Sequence, residues 1–190
     1  NDAQKLANTM ERIYSAVHHS LPADEKKTPI ILRMNYAQSN GFATLAPRRS
    51  EWYNTPPQNA FQGVMGWYDG LGIHEYRHMV QFDSLDSGMN SCAKVFFGEE
   101  MYMGCIGFSI PYWFYEGDAV LTETCLSKGG RGRTPAFDVD LRAQLLNGIR
   151  YDYYKAMLGS YDDYDPLASP YLLGYFMNAH MRSKYGTDAL

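Results

Sequence analysis

The sequence predicts an α+β domain in which a short sheet comes first and helices follow. Three observations carry this. Strand-like apolar runs bounded by turn residues fall between residues 30 and 57, and helical periodicity takes over from Trp67 onward. In addition, 45% of the 190 residues are hydrophobic, which is enough apolar material for one core.

Residues 2–18 read as an amphipathic helix with Leu6, Met10, Ile13 and Val17 on one stripe. Leu21 to Lys27 is a polar loop, and Ile30 to Met34 a short strand. Asn40-Gly41, a turn dipeptide, leads into a second strand, Phe42 to Leu45, which Pro47 ends. Glu51 to Asn54 is a third, closed by Pro56-Pro57. A helix follows over about 67–82 with Asp69 as its candidate cap. Residues 83–110 carry no regular pattern. Pro111 precedes a second strong helix, Trp113 to Ser127, stopped by Gly129-Gly130. Residues 138–158 read as helical with a break near Gly148. A last helix opens at Ser169-Pro170, a cap followed by proline at the first helical position, and ends at Gly186. The expected organisation is one domain over 1–190: a sheet part over about 1–66, a central helix over about 67–82 and a helical part over about 83–190. The start at Asn1 and the stop at Leu190 look cut, so the domain is expected to belong to a longer polypeptide with further domains.

Composition narrows the function. The net charge is −4 and no basic run stands out, so nucleic acid is not an expected partner. No apolar stretch is long enough for a transmembrane helix, and no signal peptide is visible. The three cysteines are odd in number and form no CxxC, which argues against a disulfide framework and a thiolate metal site. Cys92 and Cys105 could pair if the chain is exported. The 16 tyrosines suit an aromatic-lined cleft.

The chemistry concentrates in His74-Glu75-Tyr76-Arg77-His78, an HExxH sequence on a predicted helix. Residues i and i+4 share a helix face, so both imidazoles can reach one cation, and Zn²⁺ suits imidazole nitrogen. Glu75, beside the first histidine, can take a proton from a water that the cation acidifies. The surface-helix alternative, two histidines without a metal, remains open on the motif alone. A histidine soon after His78 would supply one kind of third ligand, but Met79 to Gly88 contains none. A glutamate on a later helix would supply another, and Trp113-Phe114-Tyr115-Glu116-Gly117-Asp118-Ala119 offers Glu116. That helix lines up Trp113, Glu116, Val120, Glu123 and Ser127. Glu123 can then accept the N–H of a ligating histidine and fix its tautomer. Asp118 lies off this stripe and reads as structural, a partner for an arginine.

HEYRHMVQ followed by WFYEGDAVLTE resembles the gluzincins of the peptidase MA clan, whose zinc is held by two histidines and a later glutamate. The second block is similar to the WLNEGFA-type segment of zinc aminopeptidases, including a second glutamate, Glu123, two helical turns after the first. With Glu123-Thr124-Cys125-Leu126-Ser127 and Gly130-Arg131-Gly132-Arg133, the chain most resembles large exported bacterial proteins over roughly residues 38–186. The resemblance implies a zincin-like metallopeptidase fold, with a small antiparallel-edged sheet before the active-site helix and a helical subdomain after it. It implies one Zn²⁺ on His74, His78 and Glu116, Glu75 as base, and an exported, bacterial location. Two further roles follow from it. Pro170-Tyr171-Leu172-Leu173-Gly174 matches the aminopeptidase arrangement in which a tyrosine stabilises the oxyanion, with Tyr175 as rival. Asn40, Gly41, Phe42 and Ala43 resemble the edge strand that holds a peptide by β-addition. The aminopeptidase Gly-x-Met-Glu-Asn signature is absent, so an endopeptidase acting on peptide or protein is expected. The alternative is a non-catalytic module that binds a peptide or partner within a larger exported assembly and keeps the zinc site.

Other residues read as structural. His18 and His19 are expected at the surface, His180 away from the site, and Met101 and Met103 in core or cleft gaps. Arg131 and Arg133 either fork a substrate carboxylate or brace loops.

Overall fold

A computed structural model describes residues 2–24, 26–58, 64–158 and 169–186; the two chain ends, Asn1 and Leu190, lie outside the described residues. The element order is α1 (Asp2–His18), β1 (Ile30–Arg33), β2 (Gly41–Leu45), β3 (Arg48–Tyr53), α2 (Trp67–Ser84), α3 (Gly88–Ser109), α4 (Tyr112–Leu126), a 3₁₀ turn (Arg131–Arg133), α5 (Val139–Leu146), α6 (Tyr153–Leu158) and α7 (Pro170–Tyr185). This is a mixed α+β arrangement, mostly helical, with one small sheet. None of the described helices is long and apolar enough to cross a membrane.

The sheet has the order β1-β3-β2, so β2 lies at an edge. It runs antiparallel to β3, and β1 runs parallel to β3. The third strand starts earlier than the apolar pattern suggests. Leu45 pairs with Arg48, which makes Ala46-Pro47 the tip of a tight hairpin. Proline is tolerated there because a hairpin tip needs no ladder N–H at that position. Arg48 and Arg49 look unlike strand residues, yet each has a carboxylate to meet. Arg48 grips Asp83 of α2 through two contacts of 2.7 Å, and Arg49 reaches Glu51 at 2.6 Å.

Gly41 has a different task from the one its dipeptide implies. It does not turn the chain; it is the first residue of β2. A Cβ there would stand 2.6 Å from Leu71 Cδ2 and 3.2 Å from Glu75 Oε1. The glycine therefore lets the edge strand lie directly against α2.

α2 is buried on every side from Leu71 to Gln81. α1 packs along it through Leu6, Thr9, Ile13 and Val17. Gly72 admits that approach, since a Cβ there would meet Ile13 at 2.8 Å. Its N-cap is Gly66 rather than Asp69; Asp69 instead holds Thr9 and Arg12 of α1.

Residues 88–109, without a legible pattern in the sequence, form α3, broken at Gly98 (φ 86°, ψ 179°). Only Tyr102 and Ile106 of this helix are fully buried, while Phe96, Phe97 and Phe108 are exposed. Apolar residues on the solvent side erase the periodicity that would have announced it. Met101 is exposed as well, whereas Met103 packs against the core. His18 is half-buried, with its Nε2 2.6 Å from the Tyr76 hydroxyl, while His19 and His180 are exposed. All three cysteines are free thiols, so Cys92 and Cys105 do not bridge.

α4 crosses α7 at backbone contact. A Cβ on Gly117 would fall 2.0 Å from the Gly174 carbonyl carbon, and one on Gly174 would fall 1.9 Å from the Trp113 oxygen. Asn178 adds a hydrogen bond from Nδ2 to the Phe114 carbonyl at 3.1 Å. Beneath the crossing, fully buried Asp118 accepts from Arg77 at 2.6 and 3.1 Å, from Arg182 at 2.7 Å and from Gln81 at 2.8 Å. Arg77 also donates to the Val17 carbonyl at 2.7 Å. One carboxylate thus joins α2, α4 and α7, and through Arg77 the end of α1. Its expected pairing with an arginine is met twice over.

Gly117→Ala should destabilise the fold by about 2–3 kcal/mol, the cost of overpacking a site whose neighbour is backbone and cannot rotate away. Denaturant titration followed by circular dichroism checks this; an unchanged midpoint would contradict the close crossing.

Candidate metal centre

His74 and His78 project from one face of α2 and Glu116 from α4, the two helices that the Asp118 network locks together. His74 Nε2 lies 3.1 Å from Glu116 Oε2, His78 Nε2 lies 3.5 Å from the same oxygen, and the two Nε2 atoms are 3.3 Å apart. All three side chains are buried, and one ligand atom from each lies within 4.8 Å of the others.

The hydrogen bonds behind the rings decide what these atoms present. His74 Nδ1 faces Glu123 Oε1 at 2.9 Å. An ionised carboxylate only accepts, so Nδ1 carries the hydrogen. Arg131 Nη2, 2.7 Å from the same oxygen, keeps Glu123 ionised. Burial opposes that charge, but the Arg131 cation and the His74 hydrogen bond prevail and hold the Glu123 carboxyl below the usual range.

The second ring is set by an amide. Gln81 Nε2 donates to the Tyr115 carbonyl at 3.1 Å and to Asp118 Oδ2 at 2.8 Å. Both partners are acceptors, so Gln81 Oε1 is the atom that faces His78 Nδ1 at 2.8 Å. His78 Nδ1 therefore carries its hydrogen too. Neutral rings so fixed turn two bare nitrogen lone pairs and a carboxylate oxygen toward one point. Three acceptors converging in a buried place repel one another unless positive charge stands among them. A proton is one solution and a metal cation the other.

The protein's own electrostatics express the same demand. Burial works against protonating His74, yet its hydrogen bonds to Glu116 and Glu123 outweigh that, and its pKa is pushed up to about 9. His78 is likewise raised against the effect of burial, through Glu116. Glu116 is held far below the ordinary carboxylate range because the two imidazoles overcome its desolvation. Glu75 moves the other way, raised by burial with the two histidines partly offsetting it.

Glu75 lines a cleft of about 460 Å³ together with both histidines, Glu116 and Tyr171. Asn40, Gly41, Phe42 and Ala43 also line it, so the edge strand stands beside the cluster. Phe82, Met103, Ile110 and Tyr115 add an apolar lining. Tyr171 has its ring 6.1 Å from that of His74, inclined by 26°. Its rival Tyr175 packs edge-on against Phe137 and does not line this cleft, although both tyrosines border the same apolar cluster of Val120, Phe137 and Leu172. Arg131 braces Glu123 and lies 5.4 Å over the Tyr171 ring, and Arg133 donates to the Thr124 and Ser127 carbonyls.

Two residues at the centre escaped the sequence reading. Gln81 was visible as i+3 from His78, on the same helix face. Tyr112 stands four residues before Glu116, but it falls just outside the helix start expected at Trp113 and is one tyrosine among 16. No protein-family model matches the chain, and no curated protein or solved structure is significantly similar to it.

Replacing Gln81 by leucine should weaken metal binding by about 10–100-fold, the usual cost of losing the group that orients a ligating histidine. Competition against a chromophoric chelator reads this, and an unchanged affinity would contradict the tautomer argument. Metal uptake should also release protons. The cation displaces a proton from His74, whose pKa is about 9. Apparent affinity should therefore rise about tenfold per pH unit between roughly pH 6 and 8 for one proton released. Titration of chelator-stripped protein across that range tests the sign; affinity flat with pH would contradict it.

Proposed function

We propose that this chain is the catalytic domain of a zinc peptidase of gluzincin type, cleaving peptide bonds internally in its substrate. The observation that carries this reading is the convergence of His74, His78 and Glu116 around one point, with Glu75 beside it in an open cleft. Two imidazoles and one carboxylate match the donor set of catalytic zinc sites, which keep a position open for water. The zincin-like fold and the exported location belong to the same reading, through the resemblance of the two sequence blocks.

In this reading His74, His78 and Glu116 would hold Zn²⁺, and the ion would supply Lewis acidity. The chain's own groups do the rest. Glu123 and Gln81 keep both rings turned to the cation. A peptide laid along β2 pairs its backbone with the outer edge of Gly41, Phe42 and Ala43. The apolar wall of Phe82, Met103 and Ile110 takes a side chain of that peptide. Glu75 receives a proton from the attacking water on its carboxylate and passes it to the leaving nitrogen. Its raised pKa suits both halves of that transfer. Tyr171 donates its hydroxyl hydrogen to the carbonyl oxygen as charge develops there.

Glu75→Gln should lower kcat on a cleavable peptide by about 10³-fold or more while leaving zinc at about one per chain, since the base is not a ligand. Peptide-library digestion with parallel metal analysis checks both. Full activity in this variant would refute the mechanism. Stoichiometric zinc in the natural chain without cleavage of any peptide would favour a binding module instead.

A further inference from the structure

Two helix starts bring two phenols together at the centre. Tyr112 is the first residue of α4 and Tyr171 the second of α7. The backbone contact between Gly117 and Gly174 fixes the distance between those helices. The two hydroxyl oxygens lie 3.3 Å apart and the rings meet edge-on, with centroids 6.4 Å apart. Tyr112 stands one helical turn before Glu116 on the same face. Both tyrosines line the cleft that holds His74, Glu75, His78 and Glu116.

Either hydroxyl of the pair can donate to the other, and what lies around them sets the direction. Two hydroxyls in contact share one hydrogen; the group that accepts it keeps its own O–H to give to a third atom. Arg131, 5.4 Å over the Tyr171 ring, favours negative charge building up on that phenol. The Glu116 carboxylate also faces the Tyr112 hydroxyl and is the rival acceptor for its hydrogen. An anionic oxygen forming in the cleft draws the order Tyr112 O–H to Tyr171 O, and Tyr171 O–H to the new oxygen. Each donor in such a chain is strengthened by the one behind it.

We infer that Tyr112 is a positioning residue for Tyr171, orienting and polarising its hydroxyl toward the oxyanion; this rests on the hydrolase reading above. Tyr112 keeps its proton throughout, and its ring alone would not serve. The contact that matters is the hydroxyl, which phenylalanine removes while keeping the packing.

The test compares the zinc-loaded natural chain with Tyr112→Phe, Tyr171→Phe and the double variant. One probe is a cleavable peptide, and the other is the phosphinic peptide of the same sequence, whose tetrahedral anion stands where the oxyanion would. Tyr171→Phe should lower kcat about 100-fold. Tyr112→Phe should lower kcat and phosphinic-peptide affinity about tenfold, as for loss of one hydrogen bond in a charged chain, with KM for the peptide within about twofold. In the Tyr171→Phe background the Tyr112 substitution should change either quantity by less than about twofold, because its effect travels through Tyr171. Unchanged phosphinic affinity in Tyr112→Phe, or losses that multiply in the double variant, would overturn the inference. A natural chain that binds the phosphinic peptide but cleaves nothing would sink the hydrolase reading. The affinity series would still decide the tyrosine pair, upheld by the coupled tenfold loss and overturned without it. A phosphinic peptide that does not bind at all overturns both.

Discussion

A buried meeting of three electron-pair donors governs this molecule. His74 Nε2, His78 Nε2 and Glu116 Oε2 stand within about hydrogen-bonding distance of one another. Their partners on the far side favour the hydrogen on Nδ1 of each ring: Glu123 Oε1 at 2.9 Å from His74, closer than the Arg131 Nη2 contact of 3.3 Å, and Gln81 Oε1 at 2.8 Å from His78. Left to themselves, they repel; with positive charge among them, all three attract it. The same groups that make the arrangement costly make it selective for a cation, because Glu123 and Gln81 have already assigned the hydrogens.

The scaffold can be understood as what holds that meeting in place. His74 and His78 are fixed by α2, and Glu116 and Glu123 by α4, so the angle between the two helices sets the geometry. Asp118 joins them with Arg77 and Gln81 and recruits α7 through Arg182. Gln81 belongs to both systems, since its amide nitrogen serves Asp118 and its oxygen serves His78. A shift in helix packing therefore reaches the His78 ring through one side chain. Buried ion pairs of this kind contribute little net stability against an apolar alternative, but breaking one leaves an uncompensated charge. Their value here is positional.

Much of the centre was legible because helical spacing is local. The two histidines follow from i and i+4, and the reach of Glu123 to His74 follows from the stripe that also carries Glu116. Tyr171 was legible only through resemblance, and its separation from Tyr175 needed the packing of α7. Other features depend on contacts between distant segments, which no local pattern reports. Gly41 reads as a turn residue until α2 is laid against it. Gly117 and Gly174 read as ordinary helix glycines until α4 and α7 touch. α3 was missed because Phe96, Phe97 and Phe108 face solvent and Gly98 breaks its run. The sheet was foreseen in number and edge character, but β3 began three residues earlier than expected because its arginines are neutralised by Asp83 and Glu51.

Diffraction at the zinc absorption edge from crystals of the protein grown with zinc tests the central claim most directly. The account predicts one anomalous peak, about 2.0–2.2 Å from Nε2 of His74, Nε2 of His78 and a carboxylate oxygen of Glu116. A peak elsewhere, ligation through Nδ1 of either ring, or Glu116 turned away from the ion would contradict it.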